Sequence, residues 1–299
     1  MKFGSIRRRA VAHTRFLVND LLCRPMRRWP TETIFARLGA VKGNWPDQDG
    51  SGPQVFAVCC GHYFAEYAEA LLTSIAGTSP GCGAHLHLYD PGEREFEDLE
   101  SLRMRLPALR LTYTWENPDL SGFDRSQRAT YYGSVRFLRF YAALRHSRRP
   151  MLSLDIDSVV RAPLAPMFRE AGNADLGLFL RPHIMDPGRK LLAGAVYGAP
   201  TPAGFAFFET VARRIGIQLI SKRFVRMLDQ RCLWLAYLRH RDRLNFWPIP
   251  ATYLDIAFRP ESVIWTFRGS DKEGELYRRE RERLRRHRPE PPPSRPNAP

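Results

Sequence analysis

Between residues 54 and 160 the chain alternates short apolar runs of strand length with segments whose apolar residues recur every three or four positions, and few folds accommodate that pattern. Gln54 to Cys60 is a nearly continuous apolar stretch, as expected of a strand buried on both faces. Phe64, Tyr67, Ala68, Leu71, Leu72 and Ile75 then follow at helical steps that place them on one face, and Gly77 ends the run. The same reading predicts a strand over 86–89, a helix over 93–105, a strand over 109–113, a helix over 134–145 and a fourth strand over 151–154. Such alternation is the signature of an α/β domain, a mainly parallel sheet flanked by helices. In these sheets ligands gather beyond the carboxyl ends of the strands, so chemistry is expected just after each strand.

Charge divides the chain differently. Forty-six Lys and Arg stand against 31 Asp and Glu, a formal net charge of +15. Residues 1–50 hold ten basic and four acidic side chains and residues 272–299 hold nine and five, so +10 of the total lies at the two ends. The expected organisation is a basic N-terminal extension over 1–51, a main domain over 52–272, and a charged helix with a disordered Pro-rich tail over 273–299. Residues 1–30 read as a basic, weakly amphipathic helix with Val11, Phe16, Leu17, Leu21 and Leu22 near one side; it could pack on the main domain or lie on an acidic membrane surface. No nucleic acid is expected as a partner, because that would call for basic residues and exposed aromatics on the domain itself. The five cysteines have no paired spacing and no secretory signal precedes them, which points to reduced thiols and a cytoplasmic protein, peripheral at most on the cytoplasmic face of the membrane. No stretch approaches the length of a membrane span. His85 and His87 alternate on one strand and read as half-buried strand residues rather than a metal pair.

The feature that points to chemistry follows the fourth strand. Asp155 and Asp157 flank Ile156, and in an extended segment residues two apart point the same way, so both carboxylates would project together from the sheet edge. Two oxygen ligands suit Mg²⁺ or Mn²⁺, which completes its shell with substrate phosphates and water. The tripeptide alone is weak evidence, since an Asp-x-Asp arises by chance about once in a chain of this composition. Asp47-Gln48-Asp49 has the same spacing inside a Gly/Pro-rich loop and reads as solvated turn chemistry. Position separates the two pairs: carboxylates at the buried end of a strand are costly unless a cation or a neighbouring arginine offsets them.

The run Arg139-Phe140-Tyr141-Ala142-Ala143-Leu144 followed by Leu152-Ser153-Leu154-Asp155-Ile156-Asp157-Ser158-Val159-Val160 resembles the central motif of GT-A nucleotide-sugar glycosyltransferases, particularly family eight. The likeness extends over most of residues 54–272. Ala70 to Ile75 resembles the end of the family's opening unit, Leu192 to Val196 its Asn-Ala-Gly-Val strand, Asp229-Gln230 its Asp-Gln pair, and Phe267 to Lys272 the end of its His-x-x-Gly-x-x-Lys motif.

The resemblance implies a GT-A fold and transfer of a sugar, a hexose first of all, from a nucleotide sugar to a hydroxyl acceptor, with retention at the anomeric carbon; the basic ends of the chain, and not the resemblance, point to a glycan or lipid-linked acceptor, as in polysaccharide biosynthesis. It implies that Asp155 and Asp157 bind the metal, that Tyr63 lies near the base, that Arg139 contacts the donor, that Gly269 and Lys272 line the diphosphate, and that Asp229 and Gln230 face the transferred sugar. Departures from the pattern are Thr266 where the family has a histidine ligand, Cys60 where an aspartate is common, Ala193 for asparagine, and no Pro-Trp after Lys272. The same residues on a catalytically inactive scaffold, in a basic membrane-surface or nucleic-acid binding protein, form the alternative reading. Tyr131, Tyr132 and Gly133 with Arg125, Arg128 and Arg136 read either as lining the donor site or as a loop packed on the sheet.

Overall fold

A computed structural model describes residues 3–46, 48, 50, 52–266 and 274–286. Gly269, Lys272, the Asp47 and Asp49 pair and the Pro-rich tail lie outside them. The N-terminal part holds α1 (Phe3–Leu22), α2 (Thr31–Leu38) and the two-residue strand β1 (Lys42–Gly43). The first α/β unit runs β2 (Gln54–Cys60), α3 (Gly61–Tyr63), a π-helical turn (Phe64–Ala68), α4 (Glu69–Thr78), β3 (Gly83–Tyr89), α5 (Glu93–Arg105) and β4 (Arg110–Glu116). Next come α6 (Arg125–Ser147), β5 (Met151–Leu154), β6 (Val159–Val160), α7 (Ala165–Ala171), β7 (Leu176–Leu180) and β8 (Leu191–Gly198). The chain closes with α8 (Pro202–Ile220), α9 (Leu228–His240), β9 (Phe246–Pro248), β10 (Leu254–Asp255), β11 (Ile264–Trp265) and α10 (Glu275–Arg286).

Eight strands form one sheet in the order β1-β4-β3-β2-β5-β8-β7-β9. The run β4-β3-β2-β5 is parallel, as the buried apolar stretches predict. The other half is mixed: β8 is antiparallel to both β5 and β7, and β9 is parallel to β7. Strand alternation divides the core. Val55, Ala57 and Cys59 of β2 pack with α4 and α5, while Phe56 packs on the opposite face with Phe140 of α6 and the residues of α8 and α9. The N-terminal residues share that second core, through Phe16, Cys23, Ile34 and Leu38. Because the chain continues from β2 to β3 on one side and meets β5 on the other, a crevice opens at their carboxyl ends.

Two local readings change. The segment from Arg125 is the first two turns of a 23-residue α6, not a loop before a helix at 134. Asp124 caps it: its carboxylate accepts from the Gln127 backbone NH at 2.8 Å and the Gln127 side chain accepts from the Asp124 NH at 2.9 Å. His85 and His87 are fully buried rather than half-buried. They lie in a polar chain across β3 and β4, where His85 bonds Thr112 and Thr114 (2.9 and 3.0 Å) and His87 bonds Thr114 and Glu116 (2.9 and 3.3 Å). All five cysteines are thiols, and burial raises those of Cys23, Cys59, Cys82 and Cys232 above the usual thiol range.

Candidate functional site

A cavity of about 780 Å³ opens at the carboxyl ends of β2, β3 and β5, a size suited to a small-molecule ligand. Cys60, His62 and Tyr63 form one wall, Tyr89 the back, and Leu154 to Asp157 the floor. The other wall is a single face of α6: Arg125, Arg128, Ala129, Tyr132, Gly133 and Arg136, at steps of three and four. The two alternatives for this segment therefore resolve as a cavity wall built on a helix. Tyr131 faces away and is buried, and the Tyr132 hydroxyl donates to Asp90 at 3.2 Å. Burial and Asp90 together push the Tyr132 phenol up to about 12.

Asp155 and Asp157 sit in a tight turn and not in an extended segment, for the strand ends at Leu154 and the Ser158 NH donates to the Asp155 carbonyl at 3.0 Å. Both still line the cavity, and Ile156 between them belongs at once to its floor and to the core. The turn is pinned from three sides. The Asp155 NH donates to the Gly194 carbonyl of β8 at 3.1 Å, β6 pairs antiparallel with β11, and the Tyr277 hydroxyl of α10 donates to the Asp157 carbonyl at 3.1 Å. Pairing of β11 with β6 brings Thr266 beside the acids, with its hydroxyl 3.4 Å from that of Ser158. A Cβ at Gly194 would come within 2.7 Å of Thr266 Oγ1 and 3.1 Å of Asp155 Oδ2, so glycine keeps open the gap that these two oxygens share.

Arg136 ties the site together. Its guanidinium donates to Asp155 Oδ1 and, at 3.0 Å, to Asp229 Oδ2, clamping the start of α9 to the end of β5. The pairing of an aspartate with a nearby arginine, set out above as the structural alternative, is thus present, and so is the cavity. Burial works against the charge on Arg136, yet the two carboxylates together raise its pKa. Burial also lifts Asp229 above the ordinary carboxylate range, against the pull of Arg136. Met227, just ahead of α9, holds a left-handed backbone (φ +57°), a costly conformation for its side chain that aims Asp229 inward.

Other expected residues fall differently. Tyr63 lies at the cavity mouth beside Tyr67, ring centroids 5.4 Å apart. The Gln230 amide lies against the carbonyls of Gly188 and Leu191, and with its nitrogen turned toward them it donates to both, at 3.1 and 2.6 Å. Arg139 does not line the cavity: it is 1% exposed behind the wall, in a two-pronged pair with Glu116. Arg136, one turn earlier, holds the position at the acids, and nothing in sequence spacing separates these two arginines. Among the described residues no three His, Cys, Asp or Glu side chains gather at a point. The oxygens of Asp155, Asp157 and Thr266 are nonetheless hard donors of the kind Mg²⁺ or Mn²⁺ prefers, and Asp155 keeps Oδ2 on the side away from its Arg136 bond.

The sequence matches no protein-family model and no curated protein. Among solved structures the chain is similar to the glycosyltransferase GlyE of Streptococcus pneumoniae TIGR4, with 14% identity over 78% of this chain and a TM-score of 0.53. It spans 60% of the GlyE chain. It is also similar to the galactosyltransferase LgtC in complex with donor and acceptor sugar analogs, at 13% identity over 77% of this chain and 95% of that one, with a TM-score of 0.54. The fold is the GT-A glycosyltransferase fold. At these identities the likeness is one of architecture, and function has to be argued from the site. The crevice between β2 and β5 lies at the carboxyl ends of the parallel strands. No helix among the described residues is long and apolar enough to cross a membrane.

Proposed function

We propose that this chain transfers a sugar from a nucleotide-diphosphate donor, seated in the cavity at the carboxyl ends of β2 and β5, to a hydroxyl on a glycan or lipid-linked acceptor. The observation that carries the reading is the meeting of Asp155, Asp157 and Arg136 at the edge of a cavity whose helical wall carries Arg125 and Arg128, with Asp229 buried behind that edge and bonded to Arg136. Guanidinium groups match phosphate oxygens geometrically and stay charged, so Arg125 and Arg128 would hold the diphosphate. The exposed edge of Tyr63 would lie against the base, and Gly269 and Lys272 would line the diphosphate. Asp155, Asp157 and the Thr266 hydroxyl would hold Mg²⁺ or Mn²⁺, which when bound stabilises the charge that develops on the departing diphosphate.

The protein's own contribution is orientation. Arg136 fixes Asp229 relative to Asp155, so the carboxylate facing the sugar is set before the donor arrives. Gln230, held by Gly188 and Leu191, braces the same turn. Anomeric retention and a hexosyl donor belong to this reading through the family resemblance.

Melting temperatures taken with a panel of nucleotide sugars, with and without Mn²⁺, test it. At least one donor is expected to stabilise the protein, more so with the metal, and Asp155→Asn and Asp157→Asn are expected to abolish the metal-dependent part. A panel without any stabilising donor, or variants that respond as the unaltered chain does, would overturn the assignment.

A further inference from the structure

We propose that the outer face of α1 is a docking surface for an anionic lipid bilayer. At about 100° per residue, α1 turns Phe16 and Asn19 inward together with Cys23 just beyond its end, and all three are buried. Val11, Leu17, Val18, Leu21 and Leu22 fall on the opposite arc and are 45–60% exposed. The sequence pattern grouped Phe16 with these residues; the structure puts it on the other side. These five make up half of the ten large apolar side chains exposed among the described residues, gathered within 12 positions, which is not the single scatter of an ordinary surface.

Charge identifies what covers the patch. The only carboxylate between residues 11 and 22 is Asp20, and Arg27 and Arg214 hold it at 2.5 and 2.7 Å, Arg214 from α8 beneath. Arg15, Arg24 and Arg28 are exposed along the edge and end of the helix and form no ion pair among the described residues. An apolar strip roughly 16 Å long, bordered by unpaired arginines and lacking free acids, complements the headgroup and acyl boundary of an anionic leaflet. Between residues 11 and 22 the one uncharged polar side chain exposed on this arc is Thr14, so a protein partner of ordinary composition would meet a single hydroxyl there to pair with. The placement also bears on the proposed acceptor, a link that rests on the sugar-transfer reading: His13 Nδ1 lies 3.2 Å from Arg231 Nη1, and Arg231 follows Asp229 and Gln230 on α9, so a docked α1 holds that side of the site near the lipid.

Flotation of the full chain with vesicles of phosphatidylcholine alone or mixed with phosphatidylglycerol tests the surface. The unaltered chain is expected to float with the mixed vesicles only. Val18→Ser/Leu21→Asn/Leu22→Ser should lower its partition roughly tenfold or more. Arg15→Gln/Arg24→Gln/Arg28→Gln, which leaves the apolar strip intact, should lower it roughly fivefold per arginine and make it insensitive to salt. Unchanged melting temperatures establish that both variants fold. The proposal is overturned if the chain floats with neither vesicle, if both variants float as the unaltered chain does, or if the strip closes a dimer that the apolar variant splits. Nucleotide-induced stabilisation is measured separately, so failure of the docking surface and failure of the cavity reading are told apart.

Discussion

Replacing Arg139 by methionine isolates the buried ion pair behind the cavity. Arg139 donates through Nε to Glu116 Oε1 at 3.0 Å and through Nη2 to Oε2, and both side chains are 1–2% exposed. Without the guanidinium, Glu116 keeps only His87, at 3.3 Å, and a buried carboxylate so exposed to loss of its partner costs about 3–5 kcal/mol. At roughly 2 °C per kcal/mol for a chain of this length, the melting temperature should fall by about 6–10 °C. Arg139→Met/Glu116→Gln removes the stranded charge while an amide still reaches His87, so it should recover roughly 2 kcal/mol relative to Arg139→Met alone. The deficit of Arg139→Met should also shrink as the pH falls toward 5. Burial already presses the Glu116 carboxyl upward, and only His87 and Arg139 hold it below its ordinary value, so without Arg139 it takes up a proton. Urea and thermal unfolding across pH 5–8 read all three effects. A loss under about 1 kcal/mol, or a double variant that costs the sum of the singles, would refute the account. Nucleotide-induced stabilisation of the double variant should persist; its loss in a folded protein would restore Arg139 as a direct donor contact.

Two further outcomes follow from buried titrating groups. The Asp255 carboxylate accepts from the backbone NH of Ala257 (2.9 Å) and Arg259 (2.7 Å) and from the Ser262 hydroxyl (3.0 Å), and although burial works upward, the Arg259 side chain and these bonds lower its pKa to about 2. A depressed carboxylate contributes stability that is present above about pH 4 and lost as the pH falls through about 2, so Asp255→Asn should cost about 2–3 kcal/mol at neutral pH and under about 0.5 kcal/mol at pH 2, read by urea midpoints. His85 and His87 are held below the ordinary histidine range, first by burial, so the unfolded chain binds protons that the folded chain refuses. Stability should therefore fall below about pH 6.5 by up to about 1.4 kcal/mol per pH unit for each ring, and His85→Gln should make the slope shallower; equal slopes would contradict the assignment.

What the sequence by itself determined is the layering. Strand and helix periods are set by backbone geometry within a few residues, so 54–60 and 93–105 could be read to their ends, and the acids after Leu154 stood out because a strand preceded them. The first turns of α6 were harder: Arg125 to Gly133 carries little apolar period, and the one local signal was Asp124 with Gln127 three residues on. Tertiary structure decided the rest. Whether Arg136 or Arg139 reaches the acids depends on which side of α6 faces β5 and which faces Glu116 of β4, and the bonds that settle it join residues 19, 93 and 23 positions apart. The same holds for Thr266, brought to Asp155 by a two-residue strand pairing, and for α1, where only packing could tell Phe16 from the apolar residues around it. Local spacing records which way a side chain points from its own element; what it meets is decided by the elements that pack against it.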